Sequence, residues 1–246
     1  MRLEADTFTD LPMDDGVMRV HVLRPQGEGR YPAIILYSEI YQVTAPIRRT
    51  AAYLASCGFV VGIPEVYHEY EPAGTVLAYD KPGTDRGNEL KFAKPVPQYD
   101  ADCRATLDFL KSHPNSTGAL GAFGVCLGGH LAFRAALQPD VQATACFYAT
   151  DLHTHTLGAG AQDGSLDRAG EITGSLLMVF GRQDPHVPLE GRSMIRNRLE
   201  ETGVHYEWHE VNAAHAFMRD EGPRYDAELG RFGYDSALRL FREYLR

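Results

Sequence analysis

Short, unbroken apolar runs alternate with stretches of helical period along most of this chain. Ala33-Ile34-Ile35-Leu36-Tyr37 and Phe59-Val60-Val61-Gly62-Ile63 offer no polar face, the pattern of strands buried on both sides. Between them, Ala45 to Cys57 has helical period, with Pro46 suited to a first turn and Gly58 to a stop. The same alternation continues through a helix near Ala101 to Ser112, a strand Ala119 to Phe123 and a helix from about Gly129 to Leu137. Strands Ala143 to Tyr148, Ser175 to Phe180 and His205 to Val211 follow, with a helix Leu189 to Glu201 and a C-terminal helix ending in Ala237 to Leu245. An earlier strand, Val17 to Leu23, follows the turn residues Asp14-Asp15-Gly16. Parallel neighbours need a crossover, usually a helix, so this order predicts an α/β fold: a mostly parallel central sheet with helices on both faces. No repeat, low-complexity tract or linker interrupts it, and residues 1–246 are expected to form a single domain.

Two segments lack a steady period. Pro64 to Pro97 mixes proline, glycine, tyrosine and charge, with a short helical piece around Arg86 to Phe92, and Thr150 to Gly174 forms a second excursion. Loops of that length in a compact chain are usually functional.

Cys57, Cys103, Cys126 and Cys146 stand apart with no C-x-x-C pair, which argues for free thiols and against a zinc or redox motif. No cofactor or metal is expected. His153 and His155, at i, i+2 in a loop, lack a matching ligand cluster. With 24 basic and 33 acidic residues the formal charge is −9, and no basic cluster offers a nucleic-acid footprint. Met1 to Asp6 carries acids where a signal peptide has its apolar core, and no run approaches the ~18 apolar residues of a membrane span. These features predict a cytoplasmic protein whose partner is a small-molecule substrate, neither nucleic acid nor membrane; they leave the oligomeric state open.

The chemistry concentrates at Phe123-Gly124-Val125-Cys126-Leu127-Gly128-Gly129, a G-x-C-x-G pattern between a predicted strand and a predicted helix. It has the form of a nucleophile elbow with sulfur in place of oxygen; the flanking glycines let backbone pass close, and the helix start favours a thiolate. A buried structural cysteine after a packing turn is the plain alternative. Chain order adds weight, because Asp184 directly follows the strand Ser175 to Phe180 and His215 directly follows the next one. Nucleophile, acid, histidine is the order of α/β-hydrolases. The imidazole can take the thiol proton and return one to a leaving group, with Asp184 fixing its tautomer. Taken singly, Asp184 before Pro185 is also an ordinary turn residue and His215 an ordinary capping or surface histidine.

Over nearly its whole length the chain resembles the dienelactone hydrolase (carboxymethylenebutenolidase) family of α/β-hydrolases. The matching pieces are Gly124-Val125-Cys126-Leu127-Gly128-Gly129, Ser38-Glu39-Ile40-Tyr41, Asp184-Pro185-His186-Val187-Pro188 and Ala214-His215-Ala216-Phe217. The resemblance implies a catalytic Cys126, Asp184 and His215, a Glu39 that contacts the thiol, and an oxyanion hole from the amides of Ile40 and Leu127. It also implies hydrolysis of a lactone or small carboxylic ester, with the substrate's carboxylate drawing in an arginine and releasing the glutamate. A carboxylate beside a thiol disfavours thiolate and protects it from oxidation, which gives Glu39 a physical rationale. Arg219, four residues beyond His215, and Arg86, in the first long loop, are the candidates to read that carboxylate. The loop Tyr79 to Phe92 departs from the family's helical pattern, which leaves the substrate more open than the reaction. A general esterase or thioesterase and a non-catalytic binding homologue are the competing functions.

Overall fold

The computed structural model describes residues 1–4, 7–160 and 162–246; the acidic N-terminal hexapeptide and the second long loop thus fall partly outside the described residues. Eight strands form one sheet in the order β1-β2-β4-β3-β5-β6-β7-β8. They are β1 Thr7–Met13, β2 Gly16–Leu23, β3 Tyr31–Tyr37, β4 Val60–Pro64, β5 Ser116–Val125, β6 Val141–Phe147, β7 Ser175–Gly181 and β8 Tyr206–Val211. From β4 to β8 along the sheet all pairings are parallel, whereas β1 and β2 run antiparallel at one edge. The helices are α1 Ala45–Ser56, α2 Lys81–Ala93, α3 Val96–Ser112, α4 Leu127–Ala136, α5 Leu189–Thr202 and α6 Ala227–Tyr244.

The apolar runs form the centre of this sheet because nothing on either face needs water. Side chains of β3, β4 and β5 are buried on both sides, joining α3, α4 and α5 in one core and α1 and α6 in the other. Leu107, Leu131 and Leu199 fill the first core, Ile47, Leu54 and Phe241 the second. This is the architecture expected from the alternating pattern.

Two elements differ from the sequence reading. Strand β1 was not anticipated: TFTDLPM has alternating burial, a proline and no apolar run, as suits an edge that faces water. Helix α2 is 13 residues long and starts at Lys81, well before the expected piece at Arg86. Its Asp80 side chain accepts from the Gly83 amide at 2.8 Å, an N-cap in front of Pro82. Gly83 and Gly87 hide the helix from a reading of propensity, yet they sit there for space. A Cβ on Gly87 would lie 2.6 Å from the Ile40 carbonyl oxygen. The glycine lets α2 press against the end of β3.

The chain leaves β3 for β4 on one side and returns by way of α2 and α3 to β5 on the other. Such a reversal opens a crevice at the carboxyl ends of the strands, the usual ligand position in open α/β sheets.

Candidate active site

Cys126 stands at the carboxyl end of β5 as the residue capping α4, with φ 58° and ψ −123°. A side chain held there costs of order 1–3 kcal/mol and persists only where its surroundings enforce it. The enforcement is visible in the flanking glycines. A Cβ on Gly124 would fall 1.8 Å from the Gly128 carbonyl oxygen, and one on Gly128 would fall 2.3 Å from that of Tyr37. The Cys126 amide is tied to the Phe147 carbonyl at 3.1 Å, which fixes the turn against β6. Of the four free cysteines Cys103 and Cys146 are buried, and burial pushes the Cys103 thiol up to about 12. Cys126 is partly exposed and lines a cleft of about 280 Å³.

Loops at the ends of β7 and β8 bring Asp184 and His215 together. His215 Nδ1 is 2.7 Å from Asp184 Oδ2, and the other carboxylate oxygen accepts the His186 amide at 2.8 Å. Both side chains are buried, with Tyr148 and His186 edge-on to the imidazole at 5.1 and 4.6 Å. Burial opposes a charged imidazole here, but it is outweighed by the Cys126 sulfur and the Asp184 carboxylate, which together raise His215 to about 10. Cys126 and His215 line the same cleft, so the sequence-expected trio converges at one strand-end edge.

Glu39, just past β3, is 3% exposed, and its Oε2 accepts from the Tyr79 hydroxyl at 3.1 Å. Arg219 reaches the same oxygen at 3.5 Å while its guanidinium lies 4.2 Å over the Tyr79 ring. Among the described residues no hydrogen bond joins Glu39 to the Cys126 sulfur; in this state the carboxylate is turned to Tyr79 and Arg219. Arg219 lines the cleft, while its Nε is buried on the Gly222 side with no acceptor among the described residues. Ile40 lines the cleft and Leu127 opens α4; among the described residues neither amide has an intramolecular acceptor. Unsatisfied amides at a helix start can face developing negative charge.

The sequence profile of the dienelactone hydrolase family matches residues 18–245. The chain belongs to the dienelactone hydrolase family. A Saccharomyces cerevisiae protein is 43% identical over 246 residues, covering 96% of this chain and 87% of its own length, and is named a carboxymethylenebutenolidase. A Klebsiella pneumoniae crystal structure named a dienelactone hydrolase aligns over 99% of this chain and 100% of its own, at TM-score 0.83 and 22% identity. Both names carry the prefix "putative". The Pseudomonas putida carboxymethylenebutenolidase is 26% identical over 208 residues, 84% of either chain. Family membership makes this a dienelactone hydrolase-like hydrolase, and the solved structure agrees with its α/β-hydrolase fold.

Within this dienelactone hydrolase-family chain, Arg86 does not reach the cleft. Its Nε bonds Glu71 at 2.7 Å and its Nη1 meets Glu89 at 2.9 Å on the outer side of α2. The physical reason is helical period: Thr84, Asn88 and Lys91 face the cleft, and a residue two positions from Thr84 or Asn88 points roughly 200° away. Those three residues, with Tyr79, Thr150, Asp151, His186 and Arg224, are site residues that the sequence reading missed. Their i, i+4, i+7 spacing was a usable signal, obscured because the helix was expected to start too late.

Elsewhere, Asp15, His68 and Glu69 offer ligand atoms within 4.8 Å of one another. Lys94 already occupies that corner, paired with Glu69 and, at 2.6 Å, with Asp102; its charge opposes a cation there. Among the described residues no helix is long and apolar enough to cross a membrane.

Proposed function

We propose that this chain hydrolyses lactones or small carboxylic esters bearing a carboxylate, through a thioester formed on Cys126. The observation that carries the reading is the 2.7 Å bond from His215 Nδ1 to Asp184 Oδ2, made in the wall of the cleft that Cys126 lines. That bond keeps a proton on Nδ1, donated to Asp184, and leaves Nε2 to exchange a proton with the sulfur. The sulfur adds to the acyl carbon, and the amides of Ile40 and Leu127 take the oxyanion. Collapse expels the alkoxide, which takes its proton from the His215 imidazolium. Water, deprotonated by His215, then attacks the thioester and returns the thiol with the free acid.

Arg219 reads the substrate's carboxylate in this scheme. A carboxylate arriving there competes with Glu39 for the guanidinium and frees Glu39 to assist the thiol. The relatives named carboxymethylenebutenolidase support a lactone as substrate. The free thiols suit a reducing compartment, and we place the enzyme in the cytoplasm as a single domain.

The test is a Cys126→Ala enzyme assayed on small aryl esters and acidic lactones. Turnover should fall about a thousand-fold or more while the fold is kept. Cys57→Ala, Cys103→Ala and Cys146→Ala should alter stability at most. Wild-type kcat in Cys126→Ala would move the nucleophile elsewhere.

A further inference from the structure

The side of the cleft formed by α2 carries charge that the reaction above does not use. Lys91 Nζ pairs with Asp151 Oδ2 at 2.9 Å, with side chains only 8% and 18% exposed, and both residues line the cleft beside Cys126. A buried pair of this kind is a poor source of stability, because desolvating two ions offsets most of their attraction. It is nevertheless tightly held. Asp151 has φ 66°, a left-handed conformation unusual for a residue with a side chain, and its carboxylate also accepts from Thr150 Oγ1 at 2.8 Å. The Thr150 amide in turn bonds the Cys126 carbonyl at 3.3 Å, and the Thr150 carbonyl meets His130 Nδ1 at 2.9 Å. Strain over-determined in this way is a feature of functional positions. Burial works against the charge on Asp151, but Lys91 and Thr150 prevail and hold its carboxyl below the ordinary range. The Asp151 carboxylate therefore keeps its charge at neutral pH.

The pair's chemistry restricts what it can receive. Lys91 offers spare N–H donors, and Asp151 offers a lone pair. A second carboxylate would meet the charge of Asp151, and an alkyl group would strip water from both ions without replacing it. A hydroxyl accepts from the ammonium and donates to the carboxylate at once. Its placement relative to the other recognition point also follows from α2. Thr84 bonds the Tyr41 hydroxyl at 2.8 Å at the Arg219 end, where the guanidinium lies 6.0 Å from the Tyr41 ring. Lys91 is seven residues further along the same face, about 10 Å at the helical rise per residue. We infer that Lys91 and Asp151 form a second subsite of this cleft, which selects substrates carrying a hydroxyl at the Lys91 end of α2, away from the carboxylate held by Arg219. The inference rests on the reading of the cleft as an esterase site.

Chromogenic esters of a hydroxynitrobenzoic acid test this, because their leaving group supplies the carboxylate. Butanoyl, β-hydroxypropanoyl and malonyl esters place a methyl, a hydroxyl or a second carboxylate at one matched position. A reverse series carries the carboxylate on the acyl side and the variable group on the leaving alcohol. Each rate is divided by that ester's spontaneous hydrolysis. In at least one series the wild-type enzyme should favour hydroxyl over methyl by about ten-fold or more in kcat/KM, the scale of one hydrogen bond to a charged group. Carboxylate should rank below hydroxyl. The hydroxyl-to-methyl ratio should approach one in Lys91→Met and in the double variant Lys91→Met with Asp151→Asn, which leaves no stranded charge if the single variant folds poorly. A ratio near one in wild type in both series, a ratio preserved in the double variant, or carboxylate outranking hydroxyl would overturn the subsite. Cys126-dependent turnover blind to the hydroxyl would defeat only this inference, whereas turnover surviving Cys126→Ala would defeat the esterase reading itself.

Discussion

Arg219 is confined by two neighbours of different character, the Glu39 carboxylate at 3.5 Å and the Tyr79 face at 4.2 Å, and its Nε is buried with no acceptor among the described residues. A substrate carboxylate would gain charge-assisted hydrogen bonds from its guanidinium, so Arg219→Ala should cost about 1.5–3 kcal/mol on an acidic lactone, roughly ten- to a hundred-fold in kcat/KM. The methyl ester of that lactone should hardly respond, and an equal loss on both substrates would assign Arg219 a structural role instead. His215 makes a separate expectation about pH. Raised to about 10 against the burial that opposes its charge, it should hold its proton through neutral pH in an NMR titration of the resting enzyme. Because its folded pKa lies above the unfolded value near 6.5, the stability it contributes is complete below pH ~6.5 and is lost as pH rises towards about 10. In Cys126→Ala the titration should move down, since the sulfur heads the influences that favour the charge. An unchanged midpoint would mean that the sulfur and imidazole do not interact.

Helix α2 decides what kind of cleft the elbow opens into. Its Asp80 cap sets the start, Gly87 sets its distance from Ile40, and the resulting rotation sends Thr84, Asn88 and Lys91 inward and Arg86 outward. In Gly87→Ala the new methyl would need space occupied by the Ile40 carbonyl, 2.6 Å away, so either α2 or the end of β3 must move. Overpacking of this kind costs about 1–3 kcal/mol. Thermal unfolding should register that loss, and kcat should fall with it because Ile40 supplies one of the two amides proposed for the oxyanion hole. A variant with unchanged stability and kcat would show that the close approach is not required. The expected helical fragment around Arg86 to Phe92 was correct in kind and too short. Glycine lowers helix propensity, and only a neighbouring backbone reveals that the same glycine is needed for contact.

At the scale of the molecule, the net charge of −9 would weakly repel an anionic substrate, yet beyond roughly 8–10 Å such fields are screened at physiological salt. Contact groups inside the cleft therefore outweigh it. Much of this architecture was legible in the linear chain. Strands buried on both faces must be apolar throughout, so the β3, β4, β5 and β7 runs declared themselves, and the parallel sheet followed from the helices between them. The order of Cys126, Asp184 and His215 was legible for a related reason: each directly follows a strand, and parallel strands end at one edge. Edge strand β1 left no such trace, because a strand open to water needs no apolar run. The rest was decided by the tertiary structure. Glu39 turns to Tyr79 and Arg219, Arg86 is held by Glu71 and Glu89, and Lys91 meets Asp151 across 60 residues of chain. Polar side chains carry no periodic signature of their partners, since a charge is tolerated wherever water or an opposite charge can reach it. Only the folded chain, which brings α2 beside Ile40 and Asp151 in the loops after β3 and β6, fixes which partner each one finds.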